Sequence, residues 1–298
     1  MIHKSLASID PQELEQLEFK LRPLVPDGPD REEFIRTYYL PLLSWILAQL
    51  KELPQRPLMI GINGPQGSGK STMTRLFVSL LKDKGFNGVT LSIDDFYLKR
   101  VDQVELARKY VHNPLLQQRG YPGTHDVTLG VQTLQALRCL QAGQTVHLPK
   151  YDKSLHQGQG DRAPESEWNK VTGPLDFVFL EGWMLGFRPA TENQALLYAN
   201  PNLREINAFL EPYSEWDKFL DVFIHLIPKK ISQVRDWRIE AEERMKAQGK
   251  PGMTREEITA YIEKFLPAYE LYVPLLKQNP PLRDKSIRIT LDAARLSV

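Results

Sequence analysis

Gly64-Pro65-Gln66-Gly67-Ser68-Gly69-Lys70-Ser71 fits the phosphate-binding pattern G-x-x-x-x-G-K-[ST] at every fixed position. The pattern has a mechanism. Glycines let the backbone wrap closely, so that several N–H groups point at one phosphate chain. Lys70 sets a compact cation on the outer phosphates, and the Ser71 hydroxyl is a ligand for Mg²⁺. Thr72 follows inside the same helical start, where the positive end of the helix adds to the anion site. ATP with Mg²⁺ is therefore the expected ligand of Gly64 to Thr72.

The flanks decide whether such a match is real. Leu58-Met59-Ile60-Gly61-Ile62, just before the loop, is a short apolar run suited to a buried parallel strand. After it, Leu76, Phe77, Leu80 and Leu81 recur on one helical face until Gly85 ends the segment. Strand, glycine loop and helix thus stand in the required order.

Two further strand ends carry acids. Gly88-Val89-Thr90-Leu91-Ser92-Ile93 reads as the second strand and runs into Asp94-Asp95-Phe96-Tyr97. Ligands of open α/β sheets bind at the carboxyl ends of strands. Asp94 is thereby expected beside the phosphates, taking the proton of a substrate hydroxyl or helping to hold Mg²⁺. Leu175-Asp176-Phe177-Val178-Phe179-Leu180-Glu181-Gly182-Trp183 is the strongest buried-strand signal in the chain. Its terminal Glu181 stands where such proteins keep the carboxylate of the metal shell, so Ser71 and Glu181 are the expected metal pair.

Between these lie loops dense in donors. Arg119-Gly120-Tyr121-Pro122-Gly123-Thr124-His125-Asp126 is a turn-rich loop before a helix at 127–140, with Thr124 or Asp126 as its cap. Thr145-Val146-His147-Leu148 reads as a third short strand. Lys150, Lys153 and Arg162 then fall in one stretch without predicted structure, where cations suit an acidic acceptor. Val222-Phe223-Ile224-His225-Leu226-Ile227 is another strand. The helix beyond it carries Lys229, Lys230, Arg235, Arg238 and Arg244, and is expected to act as a lid with Arg238 meeting the transferring group. Glu240, Glu242 and Glu243 on the same helix offer the competing reading of a solvated, salt-bridged face. Ile287-Arg288-Ile289-Thr290-Leu291 closes the set of strands.

Strands alternate with helices, which predicts an α/β fold with a mostly parallel sheet and helices on both faces. Residues 57–298 are expected to form this P-loop domain. Residues 1–56 are expected to be a helical extension packed on it, too short to bury a core alone. In that extension Asp10 and Pro11 start one helix, Asp30 caps a second, and Pro41 should kink or split the second.

Composition removes several alternatives. A net charge of +1 over 298 residues gives no basic track for nucleic acid. No apolar run approaches the roughly 20 residues of a membrane span. Cys139 is the single cysteine, so an intrachain disulfide is impossible; it is expected to pack inside a helix. The opening Met1-Ile2-His3-Lys4 runs into polar and acidic sequence, which predicts a cytoplasmic protein. Nothing points to an obligate protein partner.

Together the phosphate loop, Ser92 to Leu98 and Glu181 resemble the P-loop kinase group of uridine kinase, phosphoribulokinase and pantothenate kinase. Within it the chain is most similar to the D-glycerate 3-kinase family of plants and cyanobacteria. The matching stretches include Arg119-Gly120 with Gly123-Thr124-His125-Asp126, then Lys150-Tyr151-Asp152-Lys153-Ser154 and Gly160-Asp161-Arg162. They continue with Glu181 to Phe187, Trp237-Arg238 and Gly252-Met253. The resemblance implies ATP-dependent phosphorylation of D-glycerate to 3-phosphoglycerate. It implies Asp94 as base, with Lys70 and Ser71 in the phosphate and Mg²⁺ roles and Glu181 as the metal-side acid. It sets Asp95, Tyr97, Arg119, His125, Asp126, Lys150, Tyr151 and Arg162 around an acidic small-molecule acceptor, with the labour undivided among them. A sibling kinase for a nucleoside or polyol, or an ATP-binding regulatory protein without catalysis, would share the nucleotide loop.

Overall fold

The structure is a computed structural model and describes residues 10–25, 30–52, 56–191, 197, 199–247, 249 and 252–298. Residues 1–9 lie outside them, as does part of 190–218, a polar stretch whose sequence, anchored by Trp216, reads as helical.

The apolar runs became the strands β1 (Leu58–Asn63), β2 (Gly88–Ser92), β7 (Phe177–Gly182), β8 (Val222–Pro228) and β9 (Ser286–Leu291). They form one 5-stranded sheet in the order β2-β7-β1-β8-β9, and every pairing is parallel. Every residue of β1, β7 and β8 is buried, which explains why these segments read as continuous apolar runs. Leu58, Ile60 and Ile62 of β1 face one core layer, with Phe177, Phe179, Val222, Ile224 and Leu226. Met59, Val178, Leu180 and Phe223 face the other.

Helices cover both faces. The first layer holds α1 (Pro11–Leu21), α2 and the loop helix α3 (Lys70–Asp83), which contributes Met73, Phe77, Leu80 and Leu81. α2 begins at Arg31–Phe34, makes a π-type turn through Ile35–Tyr39 and continues as Leu40–Glu52. Pro41 therefore does not split it. A proline cannot donate to the preceding turn, and the wider turn ahead of it takes up the misfit. Asp10 caps α1 by accepting from the Gln12 N–H at 2.9 Å, but the side chain of Asp30 makes no such bond. Leu17, Leu21, Ile35 and Leu42 of this N-terminal stretch share their core with β1, β8 and β9.

The second face carries α4 (Arg100–Lys109), α5 (Val127–Arg138), α6 (Pro201–Phe209), α7 (Ser214–Asp217), α9 (Arg255–Glu263) and α10 (Leu266–Gln278), while α8 (Gln233–Ala247) lies at the edge of both layers. Two short ribbons stand outside the sheet. β3 (Thr145–Leu148) pairs antiparallel with β6 (Asn169–Thr172), and β4 (Tyr151–Asp152) pairs with β5 (Asp161–Arg162). The expected third strand thus leaves the main sheet. It is half-exposed along its length and lacks the continuous apolar character that burial on both faces requires. The Lys150–Arg162 stretch is likewise a hairpin rather than an unstructured loop. Cys139 ends α5 as its C-cap and is exposed, correcting its expected place inside the helix.

His225 lies on β8 in register between Asn63 and Arg288 and is fully buried. Neither ring nitrogen has a hydrogen-bond partner. Burial, with Arg288 and Lys277 nearby, pushes its pKa down to about 3. Such a group binds its proton only on unfolding, so it erodes stability as pH falls below its unfolded value. His225→Leu should be less acid-sensitive than the native chain by about 2 kcal/mol between pH 7 and 5, read from urea unfolding at both values. Equal losses in the two proteins would show that His225 is not the titrating group.

Candidate active site

The site sits where β1, β7 and β2 end side by side. β7 lies between the other two, with Glu181 in register with Ile62 of β1 and Ser92 of β2. Strand register alone therefore brings the loop after β1, the acid ending β7 and the acids after β2 to one crevice.

The loop from Gly64 to Gly69 turns on two positive-φ glycines, Gly67 at 78° and Gly69 at 91°. A Cβ on Gly67 would lie 2.7 Å from the carbonyl carbon of Trp237 in α8, so only glycine lets these backbones meet. Tyr269 of α10 accepts from the Gln66 N–H at 3.1 Å. Arg295, beyond β9, donates to the Gly67 carbonyl at 2.8 Å and pairs with Glu240 at 2.6 Å. The N-cap of α3 is Gly69, and no side chain caps the helix. Its first N–H groups are left for an anion, which is what a phosphate chain needs. The buried Ser68 Oγ and Gln66 Oε1 also lack protein partners.

Lys70 is buried and donates to the Pro65 carbonyl at 3.1 Å, with Glu181 Oε2 at 3.9 Å. Burial lowers its pKa against the pull of Glu181 and Asp94. Ser71 Oγ donates to Glu181 Oε1 at 2.5 Å, and Glu181 is 4% exposed. A hydroxyl and a carboxylate converging beside a phosphate loop fit Mg²⁺, which takes few protein ligands and completes its shell with phosphates and water. Among the described residues no cluster of three or more His, Cys, Asp or Glu could hold a metal.

Asp94 and Asp95 part company. Asp95 joins a capping box, its Oδ2 accepting from the Ser92 N–H at 3.2 Å, and it also accepts from the Tyr151 backbone. Burial and the neighbouring Asp94 push its pKa up to about 6 despite those bonds. It ties β2 to β4, so its visible role is structural. Asp94 faces the site. Burial works against its charge, but Lys153, at 2.5 Å, and the Tyr97 hydroxyl hold its pKa at about 2.

The acceptor residues divide in the same way. Asp126 caps α5 through the Leu129 N–H at 2.9 Å and pairs with Arg162 at 3.2 Å. Arg162 also donates to the Tyr97 carbonyl at 2.9 Å. Lys150 points outward to Glu167 at 3.6 Å. Arg119 donates to the Gly158 carbonyl at 2.9 Å and lies over the Tyr151 ring. Tyr97 stacks on His125 with ring centroids 4.4 Å apart, and meets Tyr151 edge-on. His125 is buried, with Nδ1 against the Tyr213 hydroxyl at 3.0 Å and Nε2 unpartnered. Burial lowers its pKa to about 3, so the ring is neutral.

Arg238 pairs with Glu242 at 2.7 Å and lies 6.0 Å from the ring centre of Tyr261. Its helix is not free to swing at its root. Trp237 is buried in the core and donates to the Ala293 carbonyl at 2.8 Å, and Val234 is buried on the other side. The expected lid is thus a helix seated on the phosphate loop. The salt-bridged reading also holds for Arg244 with Glu240. One residue, Tyr261, escaped the sequence reading as a site member, and another, Lys153, was not singled out from its neighbours. Lys153 appeared only as one cation among several. Tyr261 is spaced with Ile258, Ile262 and Phe265 as an apolar helical stripe, yet it lies within electrostatic reach of Asp94, Lys153, Arg238 and Arg119. No signal in the sequence separates such a tyrosine from core packing.

A parallel sheet whose central strand feeds a glycine loop, lysine and hydroxyl, with acids at the ends of β7 and β2 on one side of it, defines a P-loop kinase site. The profile of the Phosphoribulokinase / Uridine kinase family matches residues 59–190. Chloroplastic D-glycerate 3-kinase of Arabidopsis thaliana is 37% identical over 87% of this chain, which spans 59% of that relative's length. Uncharacterized kinase mug58 of Schizosaccharomyces pombe is 36% identical, covering 86% of this chain and 97% of that protein. The solved structure of D-glycerate 3-kinase from Cryptococcus neoformans superposes with a TM-score of 0.77 at 34% identity, covering 87% of this chain and 97% of that one. The chain belongs to the phosphoribulokinase/uridine kinase family of P-loop kinases, in the group that holds these relatives.

Proposed function

We propose that the protein transfers the γ-phosphoryl group of ATP to the 3-hydroxyl of D-glycerate, giving 3-phosphoglycerate and ADP. The carrying observation is Asp94, an ionised carboxylate at the end of β2, facing the same crevice as Lys70, Ser71 and Glu181. The names of the Arabidopsis and Cryptococcus relatives supply the acceptor. The lysine and arginine side chains around the crevice suit an acid rather than a neutral nucleoside.

In this reading the acceptor oxygen bonds to the γ-phosphorus as the bond from that phosphorus to the β,γ-bridging oxygen breaks. Asp94 orients the hydroxyl and takes its proton late, which suits a carboxylate of low pKa, because this chemistry depends on positioning and charge neutralisation. Lys70 and the uncapped start of α3 hold the phosphate oxygens. Ser71 and Glu181 are the residues that would hold Mg²⁺, which when bound neutralises charge on the transferring phosphates. Arg238 is the cation best placed to add to that neutralisation, once released from Glu242.

Among the described residues no helix is long and apolar enough to cross a membrane. A reducing compartment such as the cytoplasm accords with the lone exposed Cys139. No obligate protein partner is proposed.

The test is incubation of the protein with Mg²⁺-ATP and D-glycerate, beside uridine, pantothenate and ribulose 5-phosphate, with products identified by NMR. 3-Phosphoglycerate formed only with glycerate is expected. Turnover of another acceptor, or ATP binding with no turnover on any, would overturn the acceptor or the activity respectively.

A further inference from the structure

Four cations stand around the acceptor side of the crevice, and the structure separates them. Lys150 turns outward to Glu167. Arg162 is spent on Asp126 and the Tyr97 carbonyl. Arg119 is bound to the Gly158 and Gln159 carbonyls, pinning the hairpin turn between β4 and β5. Arg162 and Arg119 thus have structural partners that an acceptor would have to displace at a cost in folding, and Lys150 faces away from Asp94 toward an exposed glutamate. Lys153 differs. It stands on the same hairpin just after β4, and its ammonium lies 2.5 Å from Asp94 Oδ2, on the group meant to meet the hydroxyl.

That contact has two consequences. A carboxylate oxygen already holding an ammonium is less able to accept from a substrate hydroxyl. The pair is also asymmetric, because the Lys153 side chain is 56% exposed and that of Asp94 only 25%. A lysine on a flexible stem, itself reaching the open side of the crevice, can change partner when another anion is offered at the same place. An arriving carboxylate offers Lys153 an equivalent partner. Around the pair stand Tyr261 of α9, Arg119, and His125 with its unpartnered Nε2, all within electrostatic reach of Lys153 or Asp94. None of them is an anion that would compete for the lysine.

We propose that Lys153 is the anchor for the carboxylate of the acceptor, and that this carboxylate draws Lys153 away from Asp94, so that the base becomes available only when an acid is bound. The proposal rests on the reading of the acceptor as a hydroxy acid. It makes one lysine both a specificity determinant and a guard against transfer to water or neutral alcohols. No bond is made or broken in the exchange, which passes one ion-pair partner from Asp94 to the substrate.

The experiment compares D-glycerate with D-glyceramide, its neutral amide, as acceptors for the full chain with native Lys153, Lys153→Met and Lys153→Arg. The native protein should prefer glycerate strongly in kcat/KM. Lys153→Met should raise KM for glycerate about 10- to 100-fold, the worth of a charged hydrogen bond, with KM for ATP unchanged. Its preference for glycerate over glyceramide should collapse, and Lys153→Arg should restore most of it. A merely structural lysine would lower turnover of both acceptors and leave their ratio intact, which would overturn the proposal, as would an unchanged KM for glycerate. ATP affinity, measured alongside, shows whether a variant is folded. If the native protein fails on glycerate, the acceptor reading falls first. The same comparison then runs on whichever acid and amide it does use, and an uncharged natural acceptor would overturn the role of Lys153 as well.

Discussion

Asp94→Asn should lower kcat by about 10²- to 10⁴-fold, the usual contribution of a positioned general base, while leaving ATP affinity within experimental error of the native value. Asparagine keeps the shape of the side chain and can still hydrogen-bond to the acceptor hydroxyl. It cannot take the proton. Asp94 makes no hydrogen bond to the loop from Gly64 to Ser71, so the loop keeps its phosphate contacts in the variant. The pH profile adds a second check. Lys153 and Tyr97 hold Asp94 at about 2 against the effect of burial. A group with a lowered pKa stays ionised as pH falls, until that low value is reached. The free protein should therefore show no acid limb from Asp94 above about pH 4 in kcat/KM. Near-native turnover of the asparagine variant would remove the base assignment. An Asp94-dependent limb near pH 6 would instead show that the Lys153 pair is absent in solution.

Lys70→Met is expected to cost about 10²- to 10³-fold in kcat, because it removes a buried cation aimed at developing phosphate charge. Here the structure warns of a second effect. Lys70 is the ammonium beside Glu181, at 3.9 Å, and both are buried. Deleting one member of a buried pair leaves the other charge uncompensated, which destabilises the fold on its own account. The two effects separate in the double variant Lys70→Met with Glu181→Gln. Its thermal midpoint should recover toward the native one, because no unpaired carboxylate remains. Its turnover should not recover, because neither the lysine nor the metal-side acid is present. A double variant that regains activity would show that the single substitution acted through stability and not through the phosphates.

The parts of this site that the sequence made legible share one property. The phosphate loop, its strand and its helix are contiguous, so their geometry follows from local backbone chemistry and from period. Asp94 and Glu181 were legible because each ends a buried strand, and strand ends of parallel sheets point to one side. The division of the acceptor residues was not. Asp95 and Asp126 look like Asp94 in the sequence, yet one closes a capping box on Ser92 and the other caps α5. Arg162 looks like Lys153, yet it is spent on Asp126 and Tyr97. The helix of Arg238 carried a lid's charge pattern, but burial of Trp237 and Val234 seats its first turns on the loop.

By itself the sequence determined the phosphate-binding strand-loop-helix, the parallel α/β class and the acids at two strand ends, because these depend on neighbours along the chain. Only the tertiary structure decided the order β2-β7-β1-β8-β9, the exit of Thr145–Leu148 into a separate ribbon, and the meeting of Lys153 with Asp94. Those two residues lie 59 positions apart. Which cation reaches which carboxylate across such a gap is set by where the β4–β5 hairpin packs against the end of β2. That packing is a balance of burial and pairing summed over many residues, and no local pattern encodes it.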